Sequence, residues 1–281
     1  MRMTAFPSAT MPGLRELVRL WFSPMAAELE STKPGIEVAT LTDVGLQRAN
    51  NEDSYLYWEP ESAEEFARKG RLAIVADGMG GYEGGLEASR MAVETVRQVY
   101  VSQVDGDAQA ALVAGIQAGH AAIQQYAVEH PELQGMGTTC TAAAIVGEKL
   151  CFAHVGDSRL YLIREGVATR LTRDDSYVGR LVESGIVRPE DAESHPQRHI
   201  LTAALGSGRE VEPNVPGAPV AVQAGDVLVL CSDGLWSQVP EAELARIAQT
   251  KTPAEACSQL VRAAIQRGGP DNITVIVLRV G

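Results

Sequence analysis

The grouping of elements along the chain constrains the fold more than any single residue does. Two long helical patterns, Glu87–Ser102 and Ala108–Glu129, follow one another with no strand between them. Two more, Pro240–Gln249 and Pro253–Arg267, stand together near the end. Strand-like runs fill the rest: Glu37–Thr42, Ser54–Trp58, Leu72–Ala76, Thr139–Val146, Leu150–Val155, Leu160–Arg164, Val227–Cys231 and Thr274–Val280. A parallel sheet needs a crossover, normally a helix, between successive strands. Here many connections are short enough for antiparallel neighbours. The expected fold class is therefore α+β: two stacked antiparallel sheets flanked by helix pairs, a four-layer α-β-β-α sandwich.

Two segments fall outside this pattern. The polar stretch 174–206 interrupts the strands and reads as a small flap inserted over one end of the sheets. Residues 1–35 read as an N-terminal extension to a domain spanning 36–281. Within the extension, Leu14, Leu17, Val18 and Trp21 share one face of a short amphipathic helix that Pro24 ends. Its expected role is to dock on its own domain or on a partner. The helix is short and carries Glu16, which argues against a membrane anchor despite Arg15 and Arg19.

Composition narrows the function. The 281 residues include 24 basic and 36 acidic ones, for a net charge of −12. Such a surface repels a nucleic-acid backbone. The same acidic excess suits a protein whose carboxylates bind cations. The four cysteines have no metal-ligand or redox spacing, and three of them lie in apolar runs, so they read as buried thiols in a reducing compartment. Apolar runs such as "VLVLC" and "ITVIVL" are too short to span a bilayer. The N-terminus lacks the apolar core of a signal peptide. A cytoplasmic protein is expected.

Chemistry concentrates in "LAIVADGMGGYEGG", residues 72–85. A dinucleotide loop would need G-x-G-x-x-G, but Glu83 stands at the third glycine position. A Walker loop would need Gly-Lys-Ser or Gly-Lys-Thr, and the chain has neither. The alternative is Asp77 as a metal ligand at the end of a buried strand, with the Gly78 carbonyl able to turn towards the same ion. Asp-Gly is also a common turn. The pattern recurs, however. Asp233-Gly234 follows the strand in "VLVLCSDGLW". Asp271 precedes the last strand in "GGPDNITVIVL", Asp157 lies between two strands in "CFAHVGDSRLYL", and Glu52 and Asp53 precede a strand in "GLQRANNEDSYL". Hard oxygen donors repeated at strand ends suit magnesium or manganese. Arg48 stands four residues before Glu52. It reads either as a surface ion pair or as a bidentate phosphate contact.

These pieces, with "GMGTTCTAAAI", "HVGDSRLYLIREG" and "SHPQRHILTAALG", occur in one order over roughly residues 38–280. The set resembles the metal-dependent protein phosphatases, the type 2C serine/threonine phosphatases, and bacterial members most of all. The resemblance implies a role for each matching residue. Asp77 bridges two metals, and Gly78 binds one of them through its carbonyl. Asp233 and Asp271 hold the other. Glu52 holds metal-bound water with Asp53 in support, and Asp157 joins Asp233 at a weaker third metal. Arg48 grips the phosphate, and Asn272 stands beside the site. The implied cofactors are two or three Mn2+ or Mg2+ ions. The implied reaction is in-line attack by a water bridging two metals, without a phosphoenzyme. Met79 stands where eukaryotic members have a histidine proposed as general acid, so the proton for the leaving group must come from elsewhere.

Other readings carry less weight. No cysteine sits in H-C-x5-R. "VDGDAQA" has Gln109 where a D-x-D-x-T/V phosphatase needs threonine or valine. His195 and His199 have a spacing seen in zinc sites, but no cysteine or third histidine lies near them in sequence. A pseudophosphatase or phosphoprotein-binding regulator on the same fold is the main alternative, and a missing metal aspartate would favour it. None is missing. The regulatory branch that acts on anti-sigma-factor antagonists usually lacks part of the arginine motif, which is present here. The expected partners are phosphorylated proteins, a serine/threonine kinase and its substrates among them, and the expected state is a monomer.

Overall fold

The run Val227–Cys231 is apolar at every position, and the fold buries both of its faces. Val227, Val229 and Cys231 point towards one pair of helices. Leu228 and Leu230 point into the space between two sheets. A strand of this composition belongs in the middle of a covered sheet. The computed structural model describes residues 27–29, 33, 35–80, 84–103, 107–192 and 195–281.

In chain order the strands are β1 (Ala27–Leu29), β2 (Ile36–Asp43), β3 (Ser54–Trp58), β4 (Arg71–Ala76), β5 (Gly78–Met79), β6 (Gly137–Thr138), β7 (Cys140–Val146), β8 (Lys149–Val155), β9 (Arg159–Arg164), β10 (Val167–Arg170), β11 (Val220–Ala221), β12 (Val227–Cys231) and β13 (Ile273–Val280). The helices are α1 (Ala63–Lys69), α2 (Gly84–Ser102), α3 (Ala108–Glu129), α4 (Tyr177–Glu183), α5 (Pro189–Ala192), α6 (Asp233–Trp236), α7 (Glu241–Thr250) and α8 (Pro253–Gln266). One sheet runs β1-β2-β13-β12-β9-β10 and the other β11-β8-β7-β4-β3, with β5 and β6 as a separate ribbon. Every pairing is antiparallel.

Apolar side chains form three layers. Leu244, Leu260 and Val261 of α7 and α8 cover the first sheet. Ala92, Val96, Leu112 and Ile116 of α2 and α3 cover Leu72, Ile74 and Ala142 of the second. Val75, Ile145, Phe152, Leu160 and Ile276 fill the space between the sheets. The result is the four-layer α-β-β-α sandwich that the sequence pattern predicts.

Local chemistry supports the helices. α3 is rich in alanine, the best helix former, and Asp107 Oδ1 caps it by accepting from Ala110 N at 3.0 Å. Asp107, an aspartate of the rejected D-x-D pattern, thus has a structural task. α8 opens on a capping box of Thr252 and Glu255 with Pro253 in its first turn.

The segment read as a flap contains α4 and α5. Its base is tied to the β8–β9 turn by Asp175 N, which donates to Gly156 O at 2.6 Å, and its two ends are joined by Thr202 N, which donates to Asp175 O at 2.7 Å. Of the segment read as an extension, β1 pairs with β2, and the helical pattern Leu14–Trp21 lies outside the described residues. All four cysteines are free and buried, and burial pushes the Cys140, Cys231 and Cys257 thiols up to about 12. Among the described residues no helix is long and apolar enough to cross a membrane.

Candidate active site

Antiparallel register decides where the acidic residues meet. Cys231, the last residue of β12, lies opposite Val275 near the start of β13 and opposite Arg159 at the start of β9. Asp233 therefore leaves β12 at the edge where Asp271 enters β13 and Asp157 enters β9. In the second sheet Ser54 pairs with Ala76. Glu52 and Asp53 thus approach β3 where β4 runs out towards Asp77. Cys140 pairs with Val155, so the β8–β9 turn carrying Asp157 crosses between the sheets at this same end.

The consequence is one cavity of about 610 Å³ lined by Arg48, Glu52, Asp77, Gly78, Met79, Asp157, Asp233, Asp271 and Asn272. Asp53 lies behind this wall and is buried. The structure thus brings together the residues to which the family resemblance gives a role, and the ion pair of Arg48 and Asp271 alone spans 223 positions.

Backbone contacts fix the carboxylates in place. Asp77 N donates to Thr139 Oγ1 at 2.9 Å, and the Asp77 carbonyl accepts from Thr138 Oγ1 and Thr139 N, each at 2.9 Å. The Asp157 carbonyl accepts from Trp236 Nε1 at 2.8 Å. Asn272 ties down the single loop between β2 and β3. Its Oδ1 accepts from Glu52 N at 2.9 Å, while its Nδ2 donates to Val44 O at 3.0 Å and to Asn50 O at 2.9 Å. Ser232 Oγ donates to Asp53 Oδ2 at 2.8 Å and accepts from Thr274 N at 2.9 Å.

Glycine is required at two points. A Cβ at Gly78 would fall 2.5 Å from the Glu52 carbonyl oxygen and closer still to that of Gly85. Gly156 has φ of +107°, and a Cβ there would lie 2.6 Å from Thr139 Cγ2. The turn that presents Asp157 has room for no side chain before it.

The electrostatics are unfavourable for the carboxylates alone. Burial, followed by the charges of Asp53, Asp233, Asp157 and Asp271, pushes Asp77 well above the usual carboxylate range. Burial and then the Asp233 and Asp174 charges do the same to Asp157, against the pull of Arg159. Burial pushes Asp53 up to about 7. Its Oδ1 is buried without a hydrogen-bond partner. Burial raises Glu52 as well, with Arg48 opposing.

Arg48, Arg198 and His199 bring basic side chains to the cavity wall, and two of them reach its carboxylates. Arg48 Nη2 lies 2.8 Å from Asp271 Oδ2, with the arginine side chain 56% exposed. The sequence spacing suggests Glu52 as its surface partner, yet the ion pair forms with Asp271. His199 Nδ1 lies 3.5 Å from Asp233 Oδ2. His195 is not in the cavity wall, and its Nδ1 accepts from Gln197 N at 3.2 Å.

This donor set fits divalent cations. It offers hard carboxylate oxygens and a glycine carbonyl, with mutual repulsion that a cation would offset. Among the described residues no three acidic or histidine side chains close on a single point by themselves. They ring the cavity, with Asp271 and Asp233 turned towards Arg48 and His199. The residues that would hold ions are Glu52, Asp77, Gly78, Asp157, Asp233 and Asp271.

Thr139, Ser232, Trp236 and His199 also serve the site, without a sequence pattern that marks them. The first three act through hydrogen bonds across distant elements, which no local pattern reports. His199 was visible as a histidine in the flap, but its approach to Asp233 depends on how the flap folds back.

Comparison with known proteins agrees with the geometry. The sequence model of the protein phosphatase 2C family matches residues 47–263. Serine/threonine protein phosphatase PstP of Mycobacterium tuberculosis is 40% identical over 242 residues, which are 86% of this chain. The chain spans only 44% of that relative's length. Protein phosphatase PhpP of Streptococcus pneumoniae is 36% identical over 248 residues, covering 86% of this chain and 97% of the relative. A crystal structure of the PstP catalytic domain in complex with two manganese ions superposes with a TM-score of 0.75 at 38% identity, over 88% of this chain and 98% of that one.

Proposed function

This chain belongs to the protein phosphatase 2C family, and from that premise we propose that it hydrolyses phosphoserine and phosphothreonine in proteins, using Mn2+ or Mg2+. The observation that carries the reading is the single cavity that gathers Glu52, Asp77, Asp157, Asp233 and Asp271 around one exposed arginine.

Each residue has a task in that reaction. Glu52, Asp77, Gly78, Asp157, Asp233 and Asp271 supply the metal-binding oxygens. Divalent ions held there would supply an activated water and would offset charge on the phosphoryl oxygens. Arg48 sits on an exposed loop at the rim. Its planar fork matches two phosphate oxygens once it leaves Asp271. Asn272 holds the loop carrying Arg48 and Glu52, and Ser232 orients Asp53 behind it. Met79 lines the cavity but has no proton to give, so the leaving oxygen takes its proton from another source. The substrates are phosphorylated proteins, with a serine/threonine kinase and its targets the partners that the family suggests. We expect a cytoplasmic monomer.

Hydrolysis of a phosphothreonine peptide with and without manganese tests this reading. Turnover that needs manganese and is lost in Asp233→Asn supports it. Metal-independent turnover, or full activity in Asp233→Asn, contradicts it. Phosphopeptide binding without turnover in saturating manganese would point instead to a binding protein on the same fold.

A further inference from the structure

A second cavity, of about 310 Å³, lies under the flap and is walled by Arg159, Arg170, Arg173 and Arg198 against Asp174, Glu183 and Glu241. An excess of arginine is unexpected in a chain of net charge −12. Arg198 is the one lining residue that this cavity shares with the carboxylate cavity.

Three of the arginines are fixed in the wall. Arg159 has a side chain only 3% exposed, pairs with Asp174 at 2.7 Å and stacks 3.6 Å from the centre of the Trp236 ring. That same indole donates to the Asp157 carbonyl, so one side chain stands as the partition between the cavities. Arg170 reaches Asp174 at 3.3 Å, and Arg173 reaches Glu183 at 2.8 Å. Arg159 also donates from Nη1 to Tyr161 Oη at 3.0 Å, and Arg173 from Nη2 to Asn214 Oδ1 at 2.9 Å. The Arg198 side chain is half-buried and has no hydrogen-bond or ion-pair partner among the described residues.

We propose that the arginine-walled cavity is a second subsite, which receives an anionic group of the phosphoprotein next to the phosphate being hydrolysed, with Arg198 as the contact shared by both subsites. The inference rests on the phosphatase reading above. The anionic group is either the carboxylate of a flanking Asp or Glu or a second phosphate. A peptide with such a group meets five carboxylates in the first cavity, Glu52, Asp77, Asp157, Asp233 and Asp271. The second cavity is where its negative flank finds compensating charge. Guanidinium donors suit both carboxylate and phosphate.

The test uses the full chain in manganese with three phosphothreonine peptides: one with neutral flanks, one with flanking Asp and Glu, and one with a second phosphothreonine. Wild type is expected to favour at least one anionic peptide over the neutral one by roughly tenfold in kcat/KM, mostly through KM. Which peptide is favoured separates carboxylate from phosphate as the ligand. Arg198→Ala should collapse that ratio, and Arg198→Lys should restore part of it. Damage of a purely structural kind would lower all three peptides together and leave the ratio intact. An unchanged ratio in Arg198→Ala, or no preference in wild type, overturns the subsite. If no peptide turns over, that failure belongs to the phosphatase reading. Fluorescence anisotropy on the same peptides then decides the subsite. Tighter binding of an anionic peptide that is lost in Arg198→Ala supports it, and equal binding overturns it.

Discussion

Replacing Asn272 should loosen the loop that carries Arg48 and Glu52. Its buried amide makes three hydrogen bonds to that loop, at 2.9 Å from Glu52 N, 3.0 Å to Val44 O and 2.9 Å to Asn50 O. Asn50 is exposed, so its carbonyl recovers a water in Asn272→Ala. Glu52 N–H and Val44 C=O belong to half-buried residues and recover water less readily. At about 1 kcal/mol for each bond lost, and more for groups left unpaired, the expected cost is about 2–4 kcal/mol. Urea unfolding followed by tryptophan fluorescence measures it. Asn272→Asp keeps the acceptor for Glu52 N–H but loses both donors and sets a charge against two carbonyls, so it should be no milder. Turnover of a phosphothreonine peptide should fall in both variants, because Arg48 and Glu52 lose their anchor. A change below about 0.5 kcal/mol together with unchanged kcat would refute the role given to this side chain.

Gly78→Ala should abolish manganese-dependent turnover, since its Cβ would sit 2.5 Å from the Glu52 carbonyl oxygen; soluble, fully active protein would mean that the backbone yields there. In EDTA the raised carboxylates make stability depend on pH. Asp53, held near 7 when folded, binds its proton more tightly folded than unfolded, so stability should be greatest near pH 4 and fall as pH rises to about 7. Asp77 and Asp157 shift in the same direction; a Tm in EDTA that rises between pH 5 and pH 8 would count against this picture. Arg48→Ala should lower kcat/KM on a phosphopeptide roughly a hundredfold. Its effect on stability should stay below about 1 kcal/mol, because the ion pair with Asp271 is exposed on the arginine side. A kcat/KM within threefold of wild type would remove Arg48 from phosphate binding.

Much of this architecture is legible in the sequence because the strands have distinctive compositions. Val227–Cys231 and Ser54–Trp58 form the strands expected over those same residues, and Ala108–Glu129 forms the expected helix. α1, over "AEEFARK", gives little warning, since a seven-residue polar helix has no apolar stripe to read. The β5–β6 ribbon consists of two-residue segments that pair only because distant chain brings them together. The same divide runs through the site. Carboxylates at strand ends are visible as a recurring pattern, and the resemblance to a known family sorts them into roles. Which side chains orient them is a matter of tertiary contact. The bond from Ser232 to Asp53 spans 179 positions, and nothing about either residue alone announces it. Arg48 looks like a partner for Glu52 from spacing, but the chain is not helical there, and it meets Asp271 instead.

The central claim is that Asp77 and its neighbours form a metal site rather than a strained acidic cluster. Calorimetric titration of manganese into wild type and Asp77→Asn addresses it directly, with Tm in EDTA recorded for both. Wild type should bind at least two ions. Asp77→Asn should lose at least one of them while gaining stability in EDTA, because it removes a carboxyl whose ionised form is disfavoured first by burial and then by Asp53, Asp233, Asp157 and Asp271. Equal manganese stoichiometry and affinity in the two proteins would contradict the account.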